Sequence, residues 1–530
     1  MKLSTIIFLS LLPVGLLAQN PDEMKTTFRG KYFNKSVYTP SNIPDFSGSR
    51  DRLPQPVLPA RQDYLKLYWK AWELAFTHFK RPPAGSPFVS DFIDEAFAPQ
   101  IFQWDTVFMI EFARYAHHLF PSIRSFDNFY VRQWEDGFIH RELREADGFE
   151  YWFEGSLHAV NPPLFAWSEL EYQKLNGRSG RIKDVFPVLV KYAEWLEKNR
   201  KKQGTAHGLY WNTGLGSGMD NTPRSGSGWV DMSAQMVLMY DALSAMASVL
   251  NLQQDRLAFR AKADSISGVI NQLMWNEKDR IYYDLDDAGQ QVKVKTIAGF
   301  WPMLAGVASD HQVEKMLDEL RNPQTFWRPI PFPSLAQNHP AYEADGKYWL
   351  GSVWAPTNVM VLKGLDRYPQ VRATREFAAH AVGAYLDGMV KVFESTGTIW
   401  ENYSAEQVTR GGWSKPDFVG WSGCGPIQLL IENVIGIKPD ALNRTVTWTL
   451  TRIDEHGVNA IPFGEGSLSL VADRRVSVTA MPVIRVEATE PFTLILMDAN
   501  QTWKVPVLAG TTRLSPGEYQ QWLVPESKSN

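Results

Sequence analysis

Gly216-Ser217-Gly218-Met219-Asp220-Asn221-Thr222-Pro223-Arg224 is the stretch from which the rest of the chain is read. Gly and Pro interrupt helices and strands alike, so this is a loop holding one acid, with Asn221, Arg224 and Trp229 as neighbours. It lies between two apolar stripes at helical spacing. Ile182, Val185, Phe186, Leu189, Ala193 and Leu196 precede it; Trp229, Met232, Met236, Tyr240 and Leu243 follow. Further out the same spacing recurs at Leu65, Tyr68, Trp69, Trp72, Phe76 and Phe79, at Trp104, Phe108, Phe112, Tyr115 and Leu119, and at Val382, Tyr385, Leu386, Met389 and Phe393. Core packing accounts for each stripe taken alone. Together they describe many amphipathic helices joined by loops rich in Gly, Pro, Trp and acids, which points to a helical toroid or barrel with its chemistry on the loops. No repeat of fixed length is found, which argues against a solenoid.

The period changes near residue 440. Thr445-Val446-Thr447-Trp448-Thr449-Leu450, Val476-Ser477-Val478-Thr479-Ala480 and Phe492-Thr493-Leu494-Ile495-Leu496 alternate with period two and are expected as strands. The expected fold class is therefore mostly α: a helical catalytic domain over 61–437 and a small C-terminal β-sandwich over 438–530, read as a structural cap in preference to a sugar-binding module. Residues 19–60 are rich in Pro, Ser and Asn and read as an irregular lead-in. Lys2, the apolar run Ile6–Leu17 and the small Ala18 read as a signal peptide over 1–18, too short to span a bilayer. Cleavage after Ala18 would release a protein with no membrane attachment.

Composition narrows the function. The 530 residues allow two or three domains. A net charge of −4 gives no reason to expect nucleic acid or an anionic membrane as a partner. The single cysteine, Cys424, excludes an internal disulfide, and an exported chain without one fits a bacterial periplasm or exterior. Aromatic residues make up 13 % of the chain and include 20 Trp, which either fill a large helical core or present ring faces to sugars. No paired Cys/His spacing suggests zinc. Asp284-Leu285-Asp286-Asp287-Ala288-Gly289 has the outline of a calcium loop, but Ala288 and Lys295 stand where oxygen ligands are needed, so a hairpin turn is the better reading and no cofactor is expected. His117 and His118 are adjacent and diverge on a helix.

A second acid, Glu401, lies in the loop Gly397-Thr398-Ile399-Trp400-Glu401-Asn402-Tyr403. Cleavage of a glycosidic bond needs a proton donor for the leaving oxygen and an activated nucleophile, and two carboxylates in aromatic loops supply both. An inverting enzyme holds its two carboxyl groups about 6.5–9.5 Å apart to admit water.

The loop at Asp220 resembles the acid-bearing loop of glycoside hydrolase family 63, in the style of its shorter bacterial and mannosylglycerate-hydrolase-like members. Four further segments agree in order. Gln103-Trp104-Asp105-Thr106 resembles a Trp-Asp sugar-contacting motif. Asn161-Pro162-Pro163-Leu164 resembles a Gln-Pro-Pro motif with Asn for Gln. Tyr348-Trp349-Leu350-Gly351-Ser352-Val353-Trp354 resembles Tyr-Trp-Arg-Gly-Pro-Val-Trp, with Leu350 and Ser352 replacing Arg and Pro. Glu401-Asn402-Tyr403 resembles the base-bearing segment. The resemblance implies an (α/α)6 barrel and inverting hydrolysis of an α-linked glucoside or mannoside, with Asp220 as general acid and Glu401 as general base. It places Trp104, Asp105, Asn161, Tyr348, Trp349 and Trp354 around a carbohydrate, with Asn221 and Arg224 flanking the acid. Arg224 has two candidate roles, a sugar hydroxyl or a carboxylate partner. A helix N-cap competes for Asp105.

Three alternatives stay open. Glu401-Asn402-Tyr403 and Trp354-Ala355-Pro356 also resemble trehalase, which shares the barrel, although Asn rather than Phe follows the acid. An epimerase or lyase on the same barrel would use His158 or Tyr403 as proton carrier. A non-catalytic glycan-binding protein is the third. The sugar, the linkage and the oligomeric state are not read from the sequence.

Overall fold

The computed structural model describes residues 37–95, 97–151, 159–498 and 501–524. The signal peptide, residues 19–36 of the lead-in and His158 lie outside these residues. Among the described residues no helix is long and apolar enough to cross a membrane.

The helical part is built in two tiers, and the sequence explains which helix belongs to which. A helix that is apolar on all sides must be buried on all sides. Gln103–Ala113 and Gly425–Ile435, the latter π-helical, are buried along their whole length, and Ala355–Asp366 is buried except at Lys363 and Asp366. Gln62–Thr77, Gly180–Arg200 and Arg372–Thr396 bury one face each and present the other to solvent, while Gln253–Val269 buries only Ala263 and Ile266. Outer helices pack on inner ones: Gln253–Val269 and Gly180–Arg200 on Val230–Val249, Gln62–Thr77 and Arg372–Thr396 on Gly425–Ile435. The five stripes read from the sequence fall on these helices. Two are cut short: Gln62–Thr77 ends before Phe79, which begins a strand paired with Phe92–Ile93, and Gln103–Ala113 ends before Tyr115, which lies in a 3-10 turn, and Leu119.

The chain is mixed rather than mostly α. Short antiparallel pairs stiffen the links between helices, among them Gln100–Phe102 with Glu142–Arg144 and Ser352–Val353 with Tyr403–Ser404. At two or three residues each, they are too short to leave an alternating pattern in the sequence.

Two sheets form the C-terminal part. One has four strands in the order Ile437–Asp440, Thr445–Thr449, Phe492–Met497, Thr502–Val507, the middle pair parallel. In Thr445–Thr449 and Phe492–Met497 buried and half-exposed residues alternate, as their sequences predict. The other sheet is antiparallel throughout, in the order Gln55–Val57, His456–Phe463, Gly466–Ala472, Ile484–Ala488, Gly510–Leu514. Two expectations are corrected here. Residues 55–57, read as irregular lead-in, form an edge strand of this sheet; Pro56 is tolerated at an edge. Val476–Ala480 is not a strand. Arg475 donates to the carbonyls of Leu450, Arg452 and Ala480 and curls the segment into a loop, leaving Val476 in solvent. The two parts of the chain are also stitched by backbone bonds from Ala441 to Lys174 and from Gly464 to Leu175.

Candidate active site

The Asp220 loop begins with a one-turn helix, Gly214–Ser217, capped by Thr213, whose hydroxyl accepts from the amide of Gly216 at 3.1 Å. The turn ends at Gly218 with φ +75, and a Cβ there would stand 3.1 Å from the Trp104 indole. Glycine thus serves both the left-handed backbone and the close approach to Trp104. Arg224 anchors the far end. Its buried guanidinium binds Asp231 at 2.6 and 2.8 Å and Asp284 at 2.8 and 2.9 Å, and it lies 4.3 Å from the centre of the Trp229 ring. Of its two candidate roles the structure shows the carboxylate pairing, which uses its donors structurally and away from the cavity. The Asp284–Gly289 stretch is a hairpin, with Asp284–Leu285 paired to Gln291–Val292.

Asn221 turns away from the cavity as well. Its side-chain NH2 donates to the Lys347 carbonyl at 2.9 Å and its oxygen accepts from the Trp349 amide at 2.8 Å. The residue so bracketed is Tyr348, held at φ +74, and its side chain lines the cavity beside Asp220 and acts on the Asp220 carboxylate. Trp349 stacks on Trp354, centroids 4.0 Å apart and nearly parallel at 5°. Trp349 faces the cavity; Trp354 lies behind it and donates its indole N–H to the Tyr348 carbonyl at 3.3 Å.

The antiparallel pair Ser352–Val353 with Tyr403–Ser404 joins the Tyr348 loop to the Glu401 loop. Glu401 is fixed from three sides. Its amide donates to the Lys415 carbonyl at 3.0 Å, its carboxylate accepts from the Lys415 amide at 3.2 Å, and its own carbonyl accepts from the Trp421 indole at 2.9 Å. Asp105 sits in the first turn of Gln103–Ala113, whose N-cap is Phe102 with no side-chain cap bond, so the capping role does not hold. Asn161 accepts from the Trp104 amide at 3.4 Å.

These loops enclose a cavity of about 210 Å³ lined by Phe97, Phe102, Trp104, Asp105, Arg141, Asn161, Leu215, Gly218, Asp220, Tyr348, Trp349 and Trp421. Pockets for drug-sized ligands run to about 300–1,000 Å³, so this one has room for about one sugar ring. Of the residues singled out from the sequence, it brings together Trp104, Asp105, Asn161, Asp220, Tyr348 and Trp349, with Glu401 close enough for its charge to act on Asp105 and Tyr348. Asn221, Arg224 and Trp354 support the walls from behind. Tyr403 points elsewhere, its hydroxyl oxygen accepting from the Trp400 amide at 3.3 Å. A larger cavity of about 430 Å³ near Arg114, Lys363 and Glu432 lies elsewhere, with those charges paired to one another.

The sequence reading missed Arg141, Phe97, Phe102 and Trp421. Arg141 adjoins the strand Glu142–Arg144, donates to Glu142 at 2.6 Å, and sets its positive charge beside Asp105 and Asp220. Nothing in His140-Arg141-Glu142 marks it; only the pairing of that strand to Gln100–Phe102 carries it to the cavity.

Electrostatics make the cavity a proton reservoir. Burial pushes Asp220 up to about 6, against the Arg141 charge and the polar Tyr348 side chain. Burial pushes Glu401 up to about 7, opposed by Lys415 and reinforced by the charge of Asp220. Asp105 is raised well above the usual carboxylate range by burial and then by the charges of Glu401 and Asp220. Three acids in one apolar-walled space cannot all ionise near neutrality, so they titrate together and retain protons. The indole N–H of Trp104 is buried without a hydrogen-bond partner.

Residues 98–422 match the mannosylglycerate hydrolase MGH1-like glycoside hydrolase domain. An uncharacterized protein of Borreliella burgdorferi is 28 % identical over 371 residues, covering 68 % of this chain and 77 % of the relative. The crystal structure of a GH63 mannosylglycerate hydrolase from Thermus thermophilus, solved in complex with glucose, superposes with a TM-score of 0.54 at 20 % identity, covering 68 % of this chain and 99 % of that one. A sialidase structure superposes with a TM-score of 0.65 at 14 % identity over 86 % of this chain and 42 % of its own; at these identities the likeness is one of fold. The match extends across more than half of the chain and contains Trp104, Asp105, Asp220, Tyr348 and Glu401, and the protein therefore belongs to the mannosylglycerate hydrolase MGH1-like family of glycoside hydrolases.

Proposed function

We propose that this glycoside hydrolase cleaves an α-linked glucoside or mannoside with inversion, using Asp220 as general acid and Glu401 as general base. The observation that carries the reading is the convergence of Asp105, from the first turn of a helix, and Asp220, from a loop, on a one-ring cavity walled by Trp104, Tyr348 and Trp349, with Glu401 of a second loop near enough for its charge to act on Asp105. A single proton shared by Asp220 and Glu401 near neutrality gives an acid and a base at once. In the empty cavity Glu401 is the weaker acid of the two. Substrate reverses the preference. A glycosidic oxygen accepting from Asp220 favours its protonated form, and a water donating to Glu401 favours its ionised form. Asp105, neutral through its surroundings, donates to a sugar hydroxyl.

The two-tier packing of helices supports reading 61–437 as an (α/α)6 barrel with the cavity at one end, and the two sheets that follow as a β-sandwich cap. The N-terminal signal-like run supports export to a bacterial periplasm or exterior. No cofactor is invoked in this scheme. The Thermus relative's structures with glucose and with Tris and D-glycerate make glucosides and glycerate-linked sugars natural first substrates to try.

The test is a panel of α-linked glucosides, mannosides and galactosides followed by anomer-resolved proton NMR. The expected result is release of the β-anomer first, with mutarotation following. First release of the α-anomer overturns the inverting assignment, and turnover without added water overturns hydrolysis.

A further inference from the structure

Trp413 is out of keeping with the other tryptophans. It is 69 % exposed, and no other tryptophan stands among the exposed large apolar residues described. Its backbone is nonetheless tightly held. Gly411 donates to the Asn402 carbonyl at 3.0 Å and Gly412 to the Asp345 carbonyl at 2.6 Å. Ser414 both donates to the Asn402 carbonyl at 2.9 Å and accepts from its amide at 3.0 Å. Lys415 exchanges bonds with Glu401. Gly411 is required, since a Cβ there would stand 1.9 Å from the Asn402 side-chain oxygen. Between these anchors Trp413 adopts φ +60, a conformation that strains a bulky residue and persists where the surroundings impose it. Exposure of one indole is ordinary by itself; a strained backbone held in place from both sides is what makes Trp413 a candidate ligand contact.

Its position says which one. The Trp413 ring is 6.4 Å from that of Tyr348, which lines the cavity together with Asp220. Two residues further on, Lys415 grips Glu401. The cavity takes about one ring, so whatever is joined to that ring across the scissile bond must extend beyond it, and Trp413 is the exposed indole beside the Tyr348 wall.

We propose that Trp413 is the stacking platform for the leaving group, and that this leaving group is itself a sugar ring, so the substrate is a disaccharide or longer glycan rather than a glycoside of a small acid such as glycerate. A ring's C–H face covers an indole, whereas a three-carbon acid is too short and too polar to do so. The inference rests on the glycosidase reading.

The experiment compares kcat/KM on α-linked gluco- and mannodisaccharides with that on the methyl α-glycoside of the same sugar. Trp413→Ala is expected to lower the disaccharide-to-methyl ratio about tenfold or more, and Trp413→Phe to restore most of it. An unchanged ratio, with or without an equal loss on both substrates, overturns the proposal. Calorimetric binding of the same disaccharides to Glu401→Gln, with and without Trp413→Ala, separates this from the parent reading. If wild type turns over none of the panel, the hydrolase reading fails, yet a tenfold weaker disaccharide Kd on loss of Trp413 still supports the platform. Equal affinity, or no binding to either protein, overturns it.

Discussion

Asn221 grips the backbone on both sides of Tyr348, one amide group bridging from the loop of one acid to the tyrosine that lines the cavity beside it. The left-handed Tyr348 depends on that grip. Asn221→Ala is expected to lower kcat about 10–100-fold with a smaller change in KM, because the loss is one of alignment rather than of substrate contact. Steady-state kinetics on the best substrate of the panel checks it; a rise in KM alone would mean that Asn221 touches substrate directly.

Glu401 gives a stability prediction opposite to the usual one for a buried acid with a partner. Its folded-state pKa is raised from 4.5 to about 7, so folding disfavours its charged form. That penalty is absent below pH 4.5, grows as pH rises through 7, and is then fully developed. Glu401→Gln should therefore be inactive and, at pH 8, more stable than wild type by about 2–3 kcal/mol. The gain should vanish at pH 4. Denaturant unfolding at the two pH values measures it, and a variant destabilised at pH 8 would refute it.

Activity should follow a narrow bell in pH. The acid limb reflects protonation of both carboxyls and the alkaline limb loss of the shared proton, with a maximum between about 6 and 7. Lys415→Gln removes a positive charge that holds Glu401 down, so the alkaline limb should move upward. A pH–kcat/KM profile of both proteins decides this; a downward shift contradicts the arrangement.

Arg224 joins the Asp220 loop to Asp231 and Asp284 through four hydrogen bonds. Arg224→Leu leaves two buried carboxylates facing each other without a cation and should cost about 3–5 kcal/mol. The triple change Arg224→Leu, Asp231→Asn, Asp284→Asn should recover a good part. Comparing the two by thermal unfolding tests whether Arg224 is a structural rivet; a stable but inactive Arg224→Leu would return it to the substrate.

The loops of Asp220, Tyr348 and Glu401 were legible because their Gly, Pro, Trp and acid content suits neither a helix nor a strand; the Trp104 motif, which opens the helix Gln103–Ala113, was legible through the family resemblance. Five helices were legible from period, whereas Phe165–Asn176, Gln253–Val269, Ala355–Asp366 and Gly425–Ile435 were not read. Direction was not legible. Asn221 and Arg224 flank an acid in sequence, yet their partners are Lys347, Trp349 and Asp284, far along the chain, and only folding reveals that they face away from the cavity. Trp354 reads like Trp349 and stands behind it. Arg141 carries no local signature, and Val476–Ala480 carries a false one, since alternation makes a strand only where a neighbouring strand waits to pair.

The edge strand Gln55–Val57 has a consequence for how the molecule is made. Its partner, His456–Phe463, is encoded some 400 residues later. At about 5–20 residues per second a ribosome needs roughly 20–80 s to supply it. Until then an unpaired edge with a half-buried Val57 waits in the open, and the last sheet to emerge fastens the first segment in place. Deleting the C-terminal sheets should therefore not release a self-sufficient helical enzyme but one with a loose end, prone to clumping.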